Sequence, residues 1–182
     1  MSRKVLGVIP SRFASTRFPG KPLAMIGGKT MIERVYNQAK KSIALTRVVV
    51  ATDDKRIADA VSSFGGEFVM TRDDHPSGTD RCAETLHLID GSFDAVVNIQ
   101  GDEPFIHPGQ IDLLCGALCE DGVEIATLVK PLQYHHELVN PNSPKVIIAS
   151  NGDALYFSRQ PIPFFKGVDF HEWHQHHVYY KH

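Results

Sequence analysis

Apolar positions fall in short blocks along this chain, and polar, glycine-rich or proline-rich stretches separate the blocks. Lys4 to Ile9 is a brief apolar run closed by Pro10, which predicts a buried strand. Ser11 to Lys29 reads as a loop, punctuated by Pro19, Gly20, Pro22, Gly27 and Gly28. Thr30 to Glu33 spells a capping box, and the helix it opens extends to about Ser42. Arg47–Thr52 predicts a second strand, after which Asp53 is placed to cap a helix from about Lys55 to Phe64, stopped by Gly65 and Gly66. Glu67–Met70 predicts a short strand and Asp80 to Ile89 a helix. Phe93–Ile99 predicts a strand, Pro108 opens a helix to about Glu120, and Ile125–Val129 predicts a further strand. Lys145–Ala149, the Asn151-Gly152 turn and Ala154–Phe157 predict a hairpin.

Strands alternating with helices imply an α/β fold with a mainly parallel central sheet flanked by helices. The strand blocks are continuous in apolar character, which suits strands covered on both faces. At 182 residues the chain reads as one domain, long enough to bury its own core, with a small β-hairpin extension. There is no internal repeat.

Composition changes this picture little. Hydrophobic residues make up 42% and charged residues 22%, the balance of a globular protein. A net charge of −2 offers no global field to draw in nucleic acid or a membrane surface. Cys82, Cys115 and Cys119 are odd in number and form no pair of zinc knuckles, so they read as small core residues of a reduced protein. No stretch reaches the ~18 apolar residues of a membrane helix, and Arg12 interrupts the first run before it could form a signal-peptide core. The location expected from this is cytoplasmic. His171, His174, His176, His177 and His182 crowd the tail, but their spacing repeats no metal-ligand pattern.

Charge distribution changes the picture more. Residues 1–32 carry six Lys/Arg and no acid, whereas residues 73–103 carry eight acids against Arg81 alone. The two segments could face each other across a site, or could be two solvated surfaces of opposite sign, and composition does not choose. Ligands of open α/β sheets bind beyond the carboxyl ends of the strands, which directs attention to the loops there. The loop after the first strand holds Arg12, Arg17 and Lys21 with Ser15, Thr16 and Gly20. Guanidiniums, an ammonium and free N–H groups are what a triphosphate requires, so phosphate binding is preferred here to a merely basic surface. The glycine spacing is neither that of a P-loop nor that of a dinucleotide fold. The loop after Phe93–Ile99 is Gln100-Gly-Asp-Glu-Pro104. An acid there, with Gly101 allowing close approach, could hold Mg²⁺ beside phosphates or could be a turn with solvated acids.

Five separated segments narrow the choice. Arg12–Pro22, Ser77–Arg81, Gln100–Pro104, Asn140–Lys145 and Leu155–Arg159 occur in this order. Together they resemble the 3-deoxy-manno-octulosonate (Kdo) cytidylyltransferases, and the likeness runs from Val5 to the last residue. Sialate cytidylyltransferases look similar at the first strand but usually carry a Lys-Gly pair where this chain has Thr16-Arg17. Phe18 stands where the family usually has Leu. The resemblance implies a GT-A-like nucleotidyltransferase fold, usually a homodimer, that joins CTP and Kdo into CMP-Kdo and pyrophosphate for lipopolysaccharide biosynthesis.

By matching positions, the resemblance implies that Arg12 and Lys21 grip the triphosphate and that Asp102 holds Mg²⁺. Ser77 and Arg81 would help form the cytidine pocket, and Gln100, Arg159 and His182 would line the Kdo site, with Arg17 between the two groups. Without the resemblance, Arg159 reads as a surface arginine. Family members continue past a His-x-Gly-x-Tyr motif whose His matches His182, so the chain is read as lacking a C-terminal segment with a second metal-binding Asp and a Glu-Gln pair. Such a form is expected to bind CTP weakly and to make no CMP-Kdo, the full reaction being expected of the complete protein. Two other classes compete with the enzyme: an inactive CTP-binding fragment, and a nucleic-acid module using the basic loop, which the net charge disfavours. A cytidylyltransferase for another sugar acid is the nearest enzymatic alternative.

Overall fold

The computed structural model describes residues 3–14 and 18–182. Its residues pack as two compact units, over residues 1–126 and 127–182.

In the first unit the order is β1 (Val5–Ser11), a 3-10 turn (Lys21–Leu23), β2 (Met25–Ile26), β3 (Lys29–Thr30), α1 (Met31–Ala39), β4 (Arg47–Thr52), α2 (Lys55–Ser63), β5 (Phe68–Met70), α3 (Gly78–Leu88), β6 (Ala95–Asn98) and α4 (Pro108–Ala117). Four strands form a parallel sheet in the order β5-β4-β1-β6, the mainly parallel sheet the sequence pattern implies. β1 explains the unbroken apolar run. Val5 and Ile9 face a core with Ile32, Val35, Ile57 and Ile111 of α1, α2 and α4, while Leu6 and Val8 face a second core with Cys82 and Ile89 beside α3. Each buried aliphatic side chain of this kind contributes ~1.5–3 kcal/mol. Gly7 stands between them because a Cβ there would meet Leu45 at 2.8 Å.

Local chemistry sets the helix starts. Thr30 caps α1, its hydroxyl accepting from Glu33 N at 3.2 Å. The expected capping box is only half formed, because the Glu33 carboxylate takes Lys29 Nζ at 2.6 Å instead. α2 is capped by Asp54, which accepts from Arg56 N at 2.9 Å, and not by Asp53 as the sequence suggested. Asp53 turns inward to Arg81. β2 and β3 form a hairpin over Gly27 and Gly28, whose φ values of 52° and 82° are those of the mirror-image turn that matches strand twist.

Two strand limits differ from expectation. β1 runs through Pro10 to Ser11, with Pro10 beside Ala51 and Ser11 beside Thr52 of β4. Even-numbered residues of β1 bond toward β6, as Val8 O does to Ile99 N, and the β6 ladder ends at Val8–Asn98. The N–H that Pro10 lacks thus has no ladder position to fill. Ile125–Val129 forms no strand among the described residues: it has no partner ladder, Ile125 is exposed, and pairing begins only at Lys130.

The second unit holds β7 (Lys130–Pro131), α5 (His135–Val139), β8 (Lys145–Ile148), β9 (Ala154–Ser158), a 3-10 turn (Phe170–Glu172), α6 (Trp173–His176) and β10 (Tyr180–Lys181). Its sheet is antiparallel, in the order β7-β10-β8-β9, and β8–β9 is the expected hairpin. Leu132, Leu138, Trp173 and Tyr179 make its core. Trp173 Nε1 donates to Val168 O at 3.1 Å and Tyr179 Oη to Pro163 O at 2.9 Å, so both buried aromatic polar groups are satisfied.

Candidate active site

A cleft of about 260 Å³ opens at the carboxyl ends of β1 and β6. Ser11 and Arg12 bound it from the end of β1, Lys21 from the first 3-10 turn, Gly78 from the start of α3, and Gln100 to Asp102 from the loop after β6. The position is that of ligands in open α/β sheets.

Each wall has a local cause. Gly20 takes φ 70° and donates its N–H to Phe13 O at 2.9 Å, turning the chain back so that Lys21 projects into the cleft. A Cβ at Gly20 would lie 3.0 Å from the Phe13 ring. Gly101 packs its backbone against the end of β1, where a Cβ would lie 3.1 Å from both Pro10 O and Ser11 Oγ. The close approach that the sequence assigned to Gly101 is thus observed, and it brings Asp102 next to the basic wall. Lys21 Nζ meets Asp102 Oδ2 at 2.7 Å. Both side chains are substantially exposed, so the pair contributes little stability and its partners are easily exchanged for ligands.

Of the residues the sequence singled out, Arg12, Lys21, Gln100 and Asp102 come together in this cleft. Ser77 stands beside it as the N-cap of α3. Its hydroxyl is engaged with Asp80, accepting from the backbone N at 3.2 Å. Arg81 does not line the cleft. It is 0% exposed, donates to Thr71 Oγ1, and pairs with Asp53 Oδ2 at 3.3 Å. It therefore ties α3 to the segments that follow β4 and β5. Arg17 lies outside the described residues.

Arg159 and His182 belong to the second unit. Arg159 Nη1 donates to Pro141 O at 2.6 Å, and His182 donates its backbone N–H to Pro144 O at 3.0 Å. Both thus border the loop 140–144. His182 Nε2 also meets Thr127 Oγ1 at 2.7 Å, and its ring stands edge-on to Phe157. Sequence reasoning assigned no role to Lys145. It is fully buried and donates to Asn140 O and Ser143 O at 2.9 Å each, with its pKa lowered first by burial and then by Arg159. Its motif was visible in the sequence, but a lysine opening a strand carries no sign of burial.

Among the described residues no group of three His, Cys, Asp or Glu side chains is placed to hold a metal. His135, His171 and His174 do cluster, with ring centroids 4.6 and 6.2 Å from that of His135. Asp102 is a single hard oxygen donor facing cations in an open cleft. That donor chemistry fits Mg²⁺, which commonly takes one or two carboxylates and completes its shell with phosphate oxygens and water.

A sequence profile of the cytidylyltransferases matches residues 6–181. The 3-deoxy-manno-octulosonate cytidylyltransferase of Parabacteroides distasonis is 53% identical, over 98% of this chain and 72% of its own length. That of Bacteroides thetaiotaomicron is 54% identical, over 98% of this chain and 72% of its own. Among solved structures, a CMP:2-keto-3-deoxy-manno-octonic acid synthetase complexed with CTP superposes with a TM-score of 0.89 at 42% identity, covering 98% of this chain and 71% of the other. A 4-diphosphocytidyl-2C-methyl-D-erythritol synthase at 15% identity shares the fold, with a TM-score of 0.58 over 86% of this chain and 68% of its own. Half-identity sustained from end to end, together with a cationic cleft at the carboxyl edge of a parallel sheet, places the chain in the cytidylyltransferase family, among the 3-deoxy-manno-octulosonate cytidylyltransferases.

Proposed function

We propose that the chain transfers the cytidylyl group of CTP to Kdo, giving CMP-Kdo and pyrophosphate. The observation that carries this reading is the convergence of Arg12, Lys21 and Asp102 in one cleft, in a chain about half identical to enzymes of that name. The Kdo 2-hydroxyl oxygen attacks the α-phosphorus of CTP in line, and the bond to the bridging oxygen breaks as pyrophosphate leaves. Such transfer depends on positioning and charge neutralisation more than on covalent help from the protein. Arg12 and Lys21 supply the fork and the point charge that hold the triphosphate. On binding, Lys21 exchanges Asp102 for phosphate oxygens. Asp102 is then free to hold Mg²⁺, which would supply charge neutralisation on the phosphates. Gln100 lines the same cleft, and its role beside the sugar rests on the family resemblance. Arg159 suits the Kdo carboxylate and His182 its hydroxyls, roles that rest on the family resemblance, as do Ser77 and Arg17 as substrate ligands. A cytoplasmic homodimer serving lipopolysaccharide synthesis has the same support.

The test is pyrophosphate release from CTP with Mg²⁺, using Kdo and a sialic acid as competing acceptors. Release with Kdo alone is expected. Equal turnover with sialic acid would remove the substrate assignment, and CTP binding without any release would favour a binding fragment.

A further inference from the structure

His75 touches the cleft's chemistry without lining the cleft. It lies in the loop between β5 and α3, and its side chain is only 7% exposed. Its backbone carbonyl accepts a hydrogen bond from Arg12 Nη2. Its ring Nε2 is hydrogen-bonded to Glu84 Oε2 on α3. The same Glu84 oxygen accepts from Arg72 N at 3.0 Å, so one carboxylate fastens the loop to α3 at two points. Pro76 follows His75 and restricts its backbone to extended conformations, which stiffens the carbonyl further. Glu84 keeps its charge at neutral pH, since the His75 hydrogen bond holds its carboxyl below the usual range.

We infer that His75 is a positioning residue for Arg12: anchored through Glu84, it presents a fixed carbonyl that aims the Arg12 guanidinium at the CTP phosphates. A carbonyl suits this task better than a carboxylate. It occupies one of the five guanidinium donors and sets the plane of the fork, yet leaves the positive charge uncancelled for the ligand. A guanidinium already held in place loses less freedom when it binds phosphate, which is how such a contact raises affinity without touching the ligand. The inference rests on the reading of Arg12 as a phosphate ligand.

The experiment is CTP titration by calorimetry on the full chain and on Arg12→Ala, His75→Ala, His75→Gln and the Arg12→Ala/His75→Ala double variant. Arg12→Ala is expected to weaken CTP binding. His75→Ala should weaken it ~10-fold, within the range found for coupled neighbours. His75→Gln, which can still donate to Glu84, should restore most of the loss. The double variant should bind no more weakly than Arg12→Ala alone, because His75 acts only through Arg12. General loosening of the loop would instead add its loss to that of Arg12. Additive losses, or His75→Ala binding as tightly as the unsubstituted protein while Arg12→Ala is weak, overturn the inference and leave the phosphate reading intact. Unchanged affinity in Arg12→Ala overturns both. Should His75→Ala fail to fold, Glu84→Gln reads the same coupling from the other end of the anchor, with a loss that vanishes in the Arg12→Ala background expected and an additive loss fatal.

Discussion

At the scale of single residues, two arginines that look alike in sequence have opposite fates. Arg12 reaches a cleft, whereas Arg81 is enclosed and meets Asp53 and Thr71. Arg81 stands one turn into α3, whose first residue is Gly78, so the helix phase turns it toward the sheet. The acids around it in sequence made it look aimed at a ligand. Nothing in the string distinguishes that from a partner fetched from Asp53, 28 positions earlier. Arg81→Met is therefore expected to cost about 2–3 kcal/mol in urea unfolding, below the full penalty for a buried pair because the Asp53 carboxylate it leaves unpaired is partly exposed. Unchanged stability with a selective rise in KM for CTP would return Arg81 to the base pocket. For Asp102 the sequence indicated the place, a loop at the carboxyl end of a strand, and the structure sets it in the cleft, exposed against Lys21; its metal role came from the resemblance, because a solvated turn acid reads the same way. Asp102→Asn keeps the shape and removes the anion, so kcat for pyrophosphate release should fall at least ~10²-fold, the scale of losing one strong electrostatic contact. A rate within a few-fold at saturating Mg²⁺ would dismiss its role.

At the scale of elements, hydrophobic blocks located the parallel sheet well, because β1 and β4 are buried on both faces and need no alternation to be seen. What failed were signals whose meaning depends on a neighbour. Pro10 looked like a stop, but its missing N–H faces the side where the β6 ladder has already ended. Ile125–Val129 has strand composition without a ladder beside it. α5 shows another such dependence, since Glu137 accepts from Gln133 N and Tyr134 N and also pairs with Lys181 of β10. The Lys181 hydrogen bond, then those backbone N–H groups, hold its carboxyl at about 2, against an ordinary value of 4.5. A carboxyl depressed by folding contributes stability that is complete above about 4.5 and lost as pH falls toward about 2. Melting temperature followed from pH 6 to pH 2 should therefore drop less steeply in Glu137→Gln than in the unsubstituted protein. Parallel curves would show that the ion pair does nothing for folding.

At the scale of the whole molecule, every described residue lining the cleft comes from the first unit, while Arg159 and His182 belong to the second. CTP affinity should therefore fall in Lys21→Ala and stay within ~2-fold in Arg159→Ala, whereas the KM for Kdo should rise in Arg159→Ala, a separation expected when distinct groups bind distinct charges. A matched loss of CTP affinity in both variants would put Arg159 among the phosphate ligands. The second unit also holds one buried amine among exposed ones. Lys145 is sealed beneath Asn140 and Ser143, while Lys130 and Lys166 stand in solvent. An amine-reactive reagent meets the exposed pair at once but reaches Lys145 only through transient opening. Acylation of this one amine, read by peptide mass spectrometry, becomes a clock for the breathing of the loop 140–144, to which Arg159 and His182 are hydrogen-bonded. Kdo, if it docks there, should slow the clock.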